Sequence, residues 1–284
     1  MSDATESAKL QTTAFDADDI SKVLEEISAM ADISKIDSLQ DKVSPEEWAV
    51  RVQLAAVYRL IALEGWDDMI YTHISARVPG PEHHFLINPW GMLFDEITAS
   101  SLIKIDAEGN KLTDTPFIVN PAGFTIHSAM HMNCKDANCV IHLHTDDGVA
   151  VSAQQEGLLP ISQHAMICSG RIAYHDYEGI ALELDERERL VADMGDKKLM
   201  ILRNHGTLAI GRDCPTAFQA MFYLERACSM QIRAQSGGTL NIPKDGMAEI
   251  SSEQGEGVFN GMAGALAWPA LIRKLNRLDP SFQH

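Results

Sequence analysis

Two apolar runs that end in histidine constrain the fold of this chain more than any other feature. The first, over residues 139–144, closes with His142-Leu143-His144, and the second, over residues 199–204, is followed at once by His205. Both runs are apolar enough to predict buried strands. Because side chains alternate between the two faces of a strand, His142 and His144 share a face, and His205 follows where a neighbouring strand turns.

Three neutral imidazoles around a divalent ion leave coordination positions open for a substrate, which is typical of a catalytic rather than a structural site. We therefore predict that His142, His144 and His205 bind one divalent metal ion. Two simpler interpretations stay open from the pattern alone. The His-x-His pair also fits two surface histidines on an edge strand, and His205 also fits a turn position with positive φ beside Gly206.

Composition excludes several classes of protein. The chain has 284 residues, 45% hydrophobic and 22% charged, which fits one large α/β domain with an N-terminal extension. A net charge of −17 opposes binding to nucleic acid and to anionic lipid. No apolar run approaches the roughly 20 residues that span a bilayer, and the N-terminus lacks the features of a signal peptide. We therefore expect a cytoplasmic protein with no nucleic-acid or membrane partner.

Patterning divides the chain into three parts. Residues 1–43 form an acidic extension, in which apolar residues between Ile20 and Ile27 recur with helical spacing and predict one amphipathic helix. Residues 44–240 form the main domain. Residues 241–284, where glycine and proline recur, are predicted to be a partly irregular tail that packs on the domain or on a neighbouring subunit.

The main domain opens with a helix signal at Ser44-Pro45-Glu46-Glu47. Ser44 can cap this helix, proline fits its first position, and Glu47 can close a capping box. We expect the helix to run to about Leu63 and to end at Gly65. The remaining predictions are strands over 69–78, 83–88, 98–106 and from 111, helices over 124–133, 147–155 and 216–234, and strands over 199–204 and 207–211.

Four segments give the chain a resemblance to a known family, namely Tyr71 to Arg77, Pro121 to His127, Cys139 to Thr145 and Asn204 to Thr207. From Trp48 to about Ala234, the sequence resembles the class II aldolase and adducin head domain. The resemblance implies a three-layer α/β/α fold with a central, mostly antiparallel sheet flanked by helices. It implies zinc on the three histidines, in preference to manganese, cobalt or iron. It also implies a homo-oligomer, a tetramer or dimer, with active sites between subunits.

The chain departs from the sugar-phosphate aldolases of this family at two places. Those enzymes carry Ser-Ser-Glu ahead of the helix before His-x-His, and the Glu moves protons. The matching residues here are Pro121-Ala122-Gly123. The family's Gly-Asn-x-Ser phosphate loop reads Thr72-His73-Ile74-Ser75, and its second phosphate-binding pair reads Trp90-Gly91. We therefore expect a substrate without phosphate.

Several side chains could move protons in place of the missing Glu. His164 follows Ser162-Gln163, and His175 lies beside Tyr174 in a polar segment. Histidines titrate near neutral pH, so we predict His164, His175 and Tyr174 as catalytic candidates, with a structural role as the alternative for each. His127 and His131 lie four apart on one helical face, a spacing that can also bind metal. The resemblance implies that His127 packs in the core or supports a metal ligand, and we expect His131 to be structural.

The predicted substrate-binding residues are His73, Arg77, Trp90 and Gly123. The resemblance puts His73 and Arg77 on the substrate side of the site, where Arg77 could hold a carboxylate, a surface ion pair being the alternative. Trp90 suits an aromatic or apolar group. Gly123 leaves space where the family has its base.

These features predict a metal-dependent carbon–carbon lyase that acts through a metal-stabilised enolate. Its substrate would be a small, non-phosphorylated acid or hydroxy compound, aromatic ones included. Both retro-aldol release of a small aldehyde and decarboxylation fit, and the absence of a base at Gly123 favours decarboxylation. Two alternatives remain: a non-heme iron oxygenase, and a non-catalytic interaction module like that of adducin, a cytoskeletal protein not regarded as an enzyme.

Overall fold

The computed structural model describes Ile33, residues 36–179 and residues 185–284. The helix predicted between Ile20 and Ile27 lies outside the described residues. Contacts divide the chain into residues 1–36 and a compact unit of residues 37–284. None of the helices in the described ranges is long and apolar enough to cross a membrane.

Residues 37–284 contain both helices and strands. The helices are α1 (Pro45–Glu64), α2 (Pro121–Asn133), α3 (Asp146–Ser152), α4 (Gln163–Cys168), α5 (Glu186–Met194), α6 (Cys214–Gln235), α7 (Met247–Gln254), α8 (Glu256–Phe259) and α9 (Met262–Leu278). The strands are β1 (His73–Arg77), β2 (Phe85–Ile87), β3 (Ile103–Ile105), β4 (Cys139–Leu143), β5 (Ile172–His175), β6 (Leu199–Leu202) and β7 (Gly206–Gly211). Short 3₁₀ helices cover Phe94–Glu96 and Pro280–Gln283.

These strands form one sheet in the order β3-β2-β1-β4-β7-β6-β5. Every neighbouring pair is antiparallel except β5 and β6, which are parallel. Helices α2 and α5 pack on one face of the sheet, and α1 and α6 pack on the other. This arrangement is the three-layer α/β/α fold with a mostly antiparallel sheet that the sequence predicts.

The first helix follows its predicted signals with one exception. The Ser44 side chain accepts a hydrogen bond from the Glu47 amide, and Gly65 ends the helix in the left-handed region at φ 69°. Glu47 was expected to close a capping box, but its carboxylate instead binds Arg51 at 2.9 Å and Lys104 at 2.8 Å. Leaving the buried guanidinium of Arg51 without a charged partner would cost more free energy than leaving the helix end without a second cap.

Most predicted strands shorten in the structure. The run 69–78 contributes only β1, and the run 98–106 only β3, because Thr98 and Ser101 bond to one another's backbone and form a turn. The strand expected from Lys111 is a single bridge to Ile105. The sequence pattern also missed β5, α4 and α5, whose mixed polar and apolar residues carry no clear period.

The C-terminal tail was expected to be partly irregular. Residues 241–246 are irregular as expected, but most of the tail is helical. Residues 247–278 form α7, α8 and α9, and α9 continues through Pro269. After α9, Phe282 is fully buried, and its carbonyl accepts a hydrogen bond from the Ala99 amide at 2.9 Å. The helices form despite their glycines and proline because α9 packs against α6 and α1.

Candidate metal centre

Strand β4 and the turn between β6 and β7 carry the three predicted ligands. His142 lies in β4 on the same face as Val140, which packs against α2, and His144 follows the strand end. His205 lies in the turn, next to Asn204, which has φ 56°. The positive φ predicted as an alternative for His205 thus belongs to Asn204, a residue type that tolerates it. The turn leaves His205 beside the end of β4.

The three imidazoles converge on one point. One nitrogen from each of His142, His144 and His205 lies within 4.8 Å of the other two. The ring centroids are 4.7 Å apart for His142 and His144 and 4.8 Å apart for His205 and each of the others. His142 is buried, and the other two are partly exposed. The geometry therefore suits one ion with an open side towards solvent.

The outer nitrogens of two rings are held by neighbours. His142 Nδ1 lies 3.0 Å from the Thr207 carbonyl oxygen, and His144 Nδ1 lies 3.1 Å from a carboxylate oxygen of Asp68. Both partners accept hydrogen bonds, so both rings carry their proton on Nδ1. The two Nε2 atoms, only 2.9 Å apart, then face each other as lone pairs. Two lone pairs at this distance repel unless a cation lies between them, so these residues fit a bound metal.

Burial keeps the ligands ready for a metal. Burial lowers the pKa of His142 well below its ordinary value, and the neighbouring His205 and His144 lower it further. Burial also lowers the pKa of His205 to about 4, with contributions from His144 and His175. Only neutral imidazole binds a metal ion, so neither ring has to lose a proton at neutral pH.

A buried carboxyl group supports the centre from the far side of the sheet. Glu225 on α6 accepts hydrogen bonds from the Thr145 hydroxyl at 2.5 Å and from the Thr207 hydroxyl. Thr145 directly follows His144, and the Thr207 carbonyl holds His142. Burial raises the pKa of Glu225 to about 7. Glu225 was not predicted from the sequence, where its only signal is a charged residue among the buried apolar residues of α6.

His73 packs against Gly123, the residue that the resemblance matches to the family's catalytic Glu. A Cβ atom built on Gly123 would lie 2.8 Å from His73 Cδ2 and 3.2 Å from His73 Nε2. In the sheet, His73 pairs with His142, and their ring centroids are 5.2 Å apart. The predicted residues His73 and Gly123 therefore lie together beside the metal centre.

Arg77 and Trp90 have contacts away from the three histidines. Arg77 lies at the other end of β1, where it donates to the His131 carbonyl and to His83 Nδ1. Trp90 forms a backbone bridge with Ile118, and its indole nitrogen is buried without a hydrogen-bond partner among the described residues. Their predicted substrate contacts stay predictions.

Of the three predicted proton carriers, the structure brings His175 close to the centre. His175 is buried, its Nδ1 lies 2.7 Å from Asp193, and it lines one cleft together with His205 and Tyr177. Tyr174 instead accepts a hydrogen bond from the Leu158 amide at 3.1 Å.

His164 lies on α4, where its ring centroid is 4.9 Å from that of Tyr223 on α6. Arg226, also on α6, lowers the pKa of His164 together with burial, which is the larger cause. His164 therefore lies at the contact between α4 and α6.

Comparisons with known proteins agree with the fold. Residues 52–232 match the model of the Class II Aldolase and Adducin N-terminal domain. A Caulobacter vibrioides protein assigned to aldolase class 2 is 59% identical over 248 residues, which cover 86% of this chain and 96% of that protein. The crystal structure of an aldolase II superfamily protein from Pseudomonas syringae has a TM-score of 0.83 and 55% identity, covering 87% of this chain and 100% of that one.

Adducins are also relatives. Rat alpha-adducin is 45% identical over 201 residues, which cover 69% of this chain and 27% of the adducin. The matched region therefore corresponds to about a quarter of alpha-adducin. Taken together with the sheet, the helices and the histidine cluster, these matches show that the chain belongs to the class II aldolase and adducin family.

Proposed function

We propose that this chain is a metal-dependent carbon–carbon lyase whose ion is held by His142, His144 and His205. The observation that carries the proposal is the convergence of three imidazoles, with one nitrogen of each within 4.8 Å of the others. A divalent ion there, zinc in preference to manganese, cobalt or iron, would supply a Lewis acid that stabilises the enolate charge as a carbon–carbon bond breaks.

The protein's own part in this chemistry is to hold the ligands in one geometry. Asp68 and the Thr207 carbonyl keep the protons of His144 and His142 on Nδ1, and so keep Nε2 of each ring available. Glu225 fixes both threonines next to these ligands through their hydroxyl groups. A ligand set that is oriented before binding loses less entropy when the ion and the substrate bind.

The substrate that we propose is a small, non-phosphorylated acid or hydroxy compound. The residues that grip phosphate in the sugar-phosphate aldolases are replaced here by Thr72-His73-Ile74-Ser75 and Trp90-Gly91. The Trp90 ring offers an apolar surface and a buried indole N–H with no partner among the described residues, which suits an aromatic substrate that carries an oxygen acceptor. Retro-aldol cleavage and decarboxylation both fit this substrate class.

We further propose a homo-oligomer, a dimer or tetramer, in which a neighbouring subunit completes the site. Met69 and Tyr71, which follow the ligand-holding Asp68, are 63% and 51% exposed, and Tyr177 beside His205 is 54% exposed. Large apolar side chains exposed together around a site are typical of an interface. A cytoplasmic location remains a prediction.

A second candidate function is a non-catalytic interaction module. The 45% identity to rat alpha-adducin favours it, because the resemblance includes adducin, a cytoskeletal protein not regarded as an enzyme. Retention of all three histidines with their orienting partners argues for the lyase.

A substrate screen separates these functions. The zinc-loaded protein would be incubated with aliphatic and aromatic 2-hydroxy and 2-keto acids, and aldehyde and carbon dioxide release would be measured. We expect turnover by the wild type and by the His84→Ala control, and none by His142→Ala. Turnover that His142→Ala retains would overturn the proposal. Oxygen consumption by an iron-loaded protein would favour the oxygenase over the lyase. Absence of both turnover and bound metal would favour the interaction module.

A further inference from the structure

Four buried side chains form a continuous chain of hydrogen bonds that starts beside the metal centre. His73 Nδ1 lies 2.8 Å from His127 Nε2, and His127 Nδ1 lies 2.5 Å from the Ser75 hydroxyl. The same hydroxyl lies 2.6 Å from His131 Nε2, and His131 Nδ1 lies 2.5 Å from the Ala137 carbonyl oxygen. Each of the four side chains belongs to a residue that is at most 4% exposed.

The spacing of the sequence explains why these groups interleave. His73 and Ser75 are alternate residues of β1, so they share the face that α2 covers, about 6.6 Å apart along the strand. His127 and His131 are four apart on α2, about 6 Å along the helix axis. The spacing along the strand and the spacing along the helix are nearly equal, so the two helix histidines can lie beside the two strand residues and bond to them alternately.

The Ala137 carbonyl, at the end of this chain of hydrogen bonds, sets the direction of every hydrogen bond in it. The Ala137 carbonyl can only accept, so His131 donates from Nδ1, and a neutral His131 then accepts at Nε2 from the Ser75 hydroxyl. The Ser75 oxygen in turn accepts from His127 Nδ1. His127 therefore accepts at Nε2 from His73 Nδ1, which leaves His73 Nε2 with a lone pair.

The direction holds because the imidazoles are neutral. No carboxylate takes part in the chain, and burial disfavours a charged ring without one. Burial lowers the pKa of His131 to about 3, and the nearby Arg77 lowers it further, while the Ala137 carbonyl acts in the opposite direction.

His73 Nε2 lies close to the point where the side chain of the family's Glu would begin. A Cβ atom at Gly123 would be 3.2 Å from His73 Nε2. Among the described residues, the group that could hold a metal contains His142, His144 and His205 and does not include His73. His73 Nε2 is therefore close to the centre and is not needed as a ligand.

We propose that His131, Ser75 and His127 are positioning residues that hold His73 with its proton on Nδ1, so that His73 Nε2 replaces the missing Glu as the proton acceptor. The catalytic part rests on the proposed lyase function. In retro-aldol cleavage, the substrate hydroxyl gives its proton to Nε2, and the O–H electron pair forms the new carbonyl. The carbon–carbon pair stays on the other fragment as the enolate, which then takes the proton back from Nε2. This base removes the reason to prefer decarboxylation.

Nitrogen NMR of histidine side chains tests the chain of hydrogen bonds without any substrate. In ¹⁵N-histidine-labelled, zinc-loaded protein, we expect His73 with a protonated Nδ1 and an unprotonated Nε2 that stays unchanged when zinc is removed. Ser75→Ala should leave His127 and His73 as mixtures of tautomers, and Ser75→Thr should restore the wild-type state. The matched control is Ser152→Ala, another buried serine whose hydroxyl donates to Val149. A proton on His73 Nε2, or a zinc-dependent shift of a metal-bound Nε2, would overturn the proposal.

Kinetics on a substrate from the screen test the catalytic part. His73→Gln should lower kcat on the order of 10²- to 10⁴-fold with zinc content unchanged. Ser75→Ala should lower kcat by less, and Ser75→Thr should recover it. Full activity of His73→Gln overturns the base assignment and leaves the lyase standing. A protein that binds no metal overturns the lyase, while the tautomer of His73 can still be read by NMR.

Discussion

Single residues decide how firmly the ion is held. The Asp68 carboxylate, 3.1 Å from His144 Nδ1, fixes the ring in the tautomer that can bind metal. Asp68→Asn should weaken zinc affinity about 10- to 100-fold, because loss of such an orienting partner has this effect in metal sites. Competition with a chelator of known affinity measures the change.

The neighbouring Asp67 provides the control for this substitution. Asp67 is exposed, so Asp67→Asn removes the same charge from the same loop without touching His144. Equal loss of affinity in both variants would mean that loop charge, and not the Asp68 hydrogen bond, supports the site.

Gly123 offers a second test at this scale. Glycine within a helix is usually less stable than alanine by about 1 kcal/mol, so Gly123→Ala would ordinarily stabilise α2. Here the new methyl group would lie 2.8 Å from the buried His73 ring. We expect Gly123→Ala to lower the free energy of unfolding by about 1–3 kcal/mol, the usual effect of overpacking, as measured by urea denaturation.

A double-mutant cycle attributes this loss to the ring. In a His73→Ala background the ring is gone, so Gly123→Ala should be neutral or stabilising. Gly237→Ala is the control, since a Cβ there meets no atom closer than 3.8 Å. Destabilisation of the same size with and without His73 would contradict the account.

The ligands could be predicted from the sequence, whereas their supporting residues could not. His142 and His144 follow from strand alternation, and His205 from a strand end. Asp68 and Glu225 reach the site from 76 and 80 residues away, from His144 and Thr145 respectively. Local patterns contain no information on such pairs. His73, noticed only as a substrate-side residue, gains its place from the pairing of β1 with β4.

At the scale of elements, the clearest signals were caps and long periodic segments. Helix α1 starts at the predicted Pro45, and α6 starts one residue before Pro215. The C-terminal helices were missed because their stability comes from packing on the domain, and glycine and proline suggested otherwise.

The final 3₁₀ helix yields a prediction for this part of the fold. Phe282 is fully buried, and the backbone around it bonds to Ala99 and Ser100. Phe282→Ala should lower the free energy of unfolding by about 3–5 kcal/mol, because it leaves a cavity in the domain. Leu278→Ala should have little effect, since Leu278 is 61% exposed. Thermal and urea unfolding compare the two, and equal stability of both variants would show that the C-terminus does not dock as described.

For the whole molecule, the sheet order explains why residues far apart in sequence meet. β4 lies between β1 and β7, so the strand that carries His142 is paired on one side with His73 and on the other with the strand after His205. The resemblance predicted this fold class correctly, whereas the residues alone predicted only the individual strands and helices. The parallel pair of β5 and β6 was not predicted.

The buried histidines also make the stability of the whole molecule depend on pH. Burial lowers the pKa of His73, His127 and His131, while the unfolded chain protonates them near pH 6.5. Because the unfolded chain then binds more protons, the free energy of unfolding falls as the pH falls. Between pH 7 and 5.5, each histidine should contribute a loss of about 1 kcal/mol.

Glu225 acts in the opposite direction. Its pKa of about 7 means that the folded chain holds a proton that the unfolded chain has lost, so acidification to pH 5.5 stabilises the fold by about 1–2 kcal/mol. The expected net result, with metal removed, is a fall of about 1–2 kcal/mol. Urea unfolding at the two pH values measures it, and constant or rising stability would contradict the neutral state of the histidines.

The most direct test of the central claim is the metal content of the purified protein, measured by elemental analysis after dialysis against zinc. The wild type should hold one zinc per chain, as should His84→Ala, while His142→Ala, His144→Ala and His205→Ala should each hold far less. Full zinc content in His142→Ala, or a wild type that binds none, would contradict the metal centre and with it the proposed lyase.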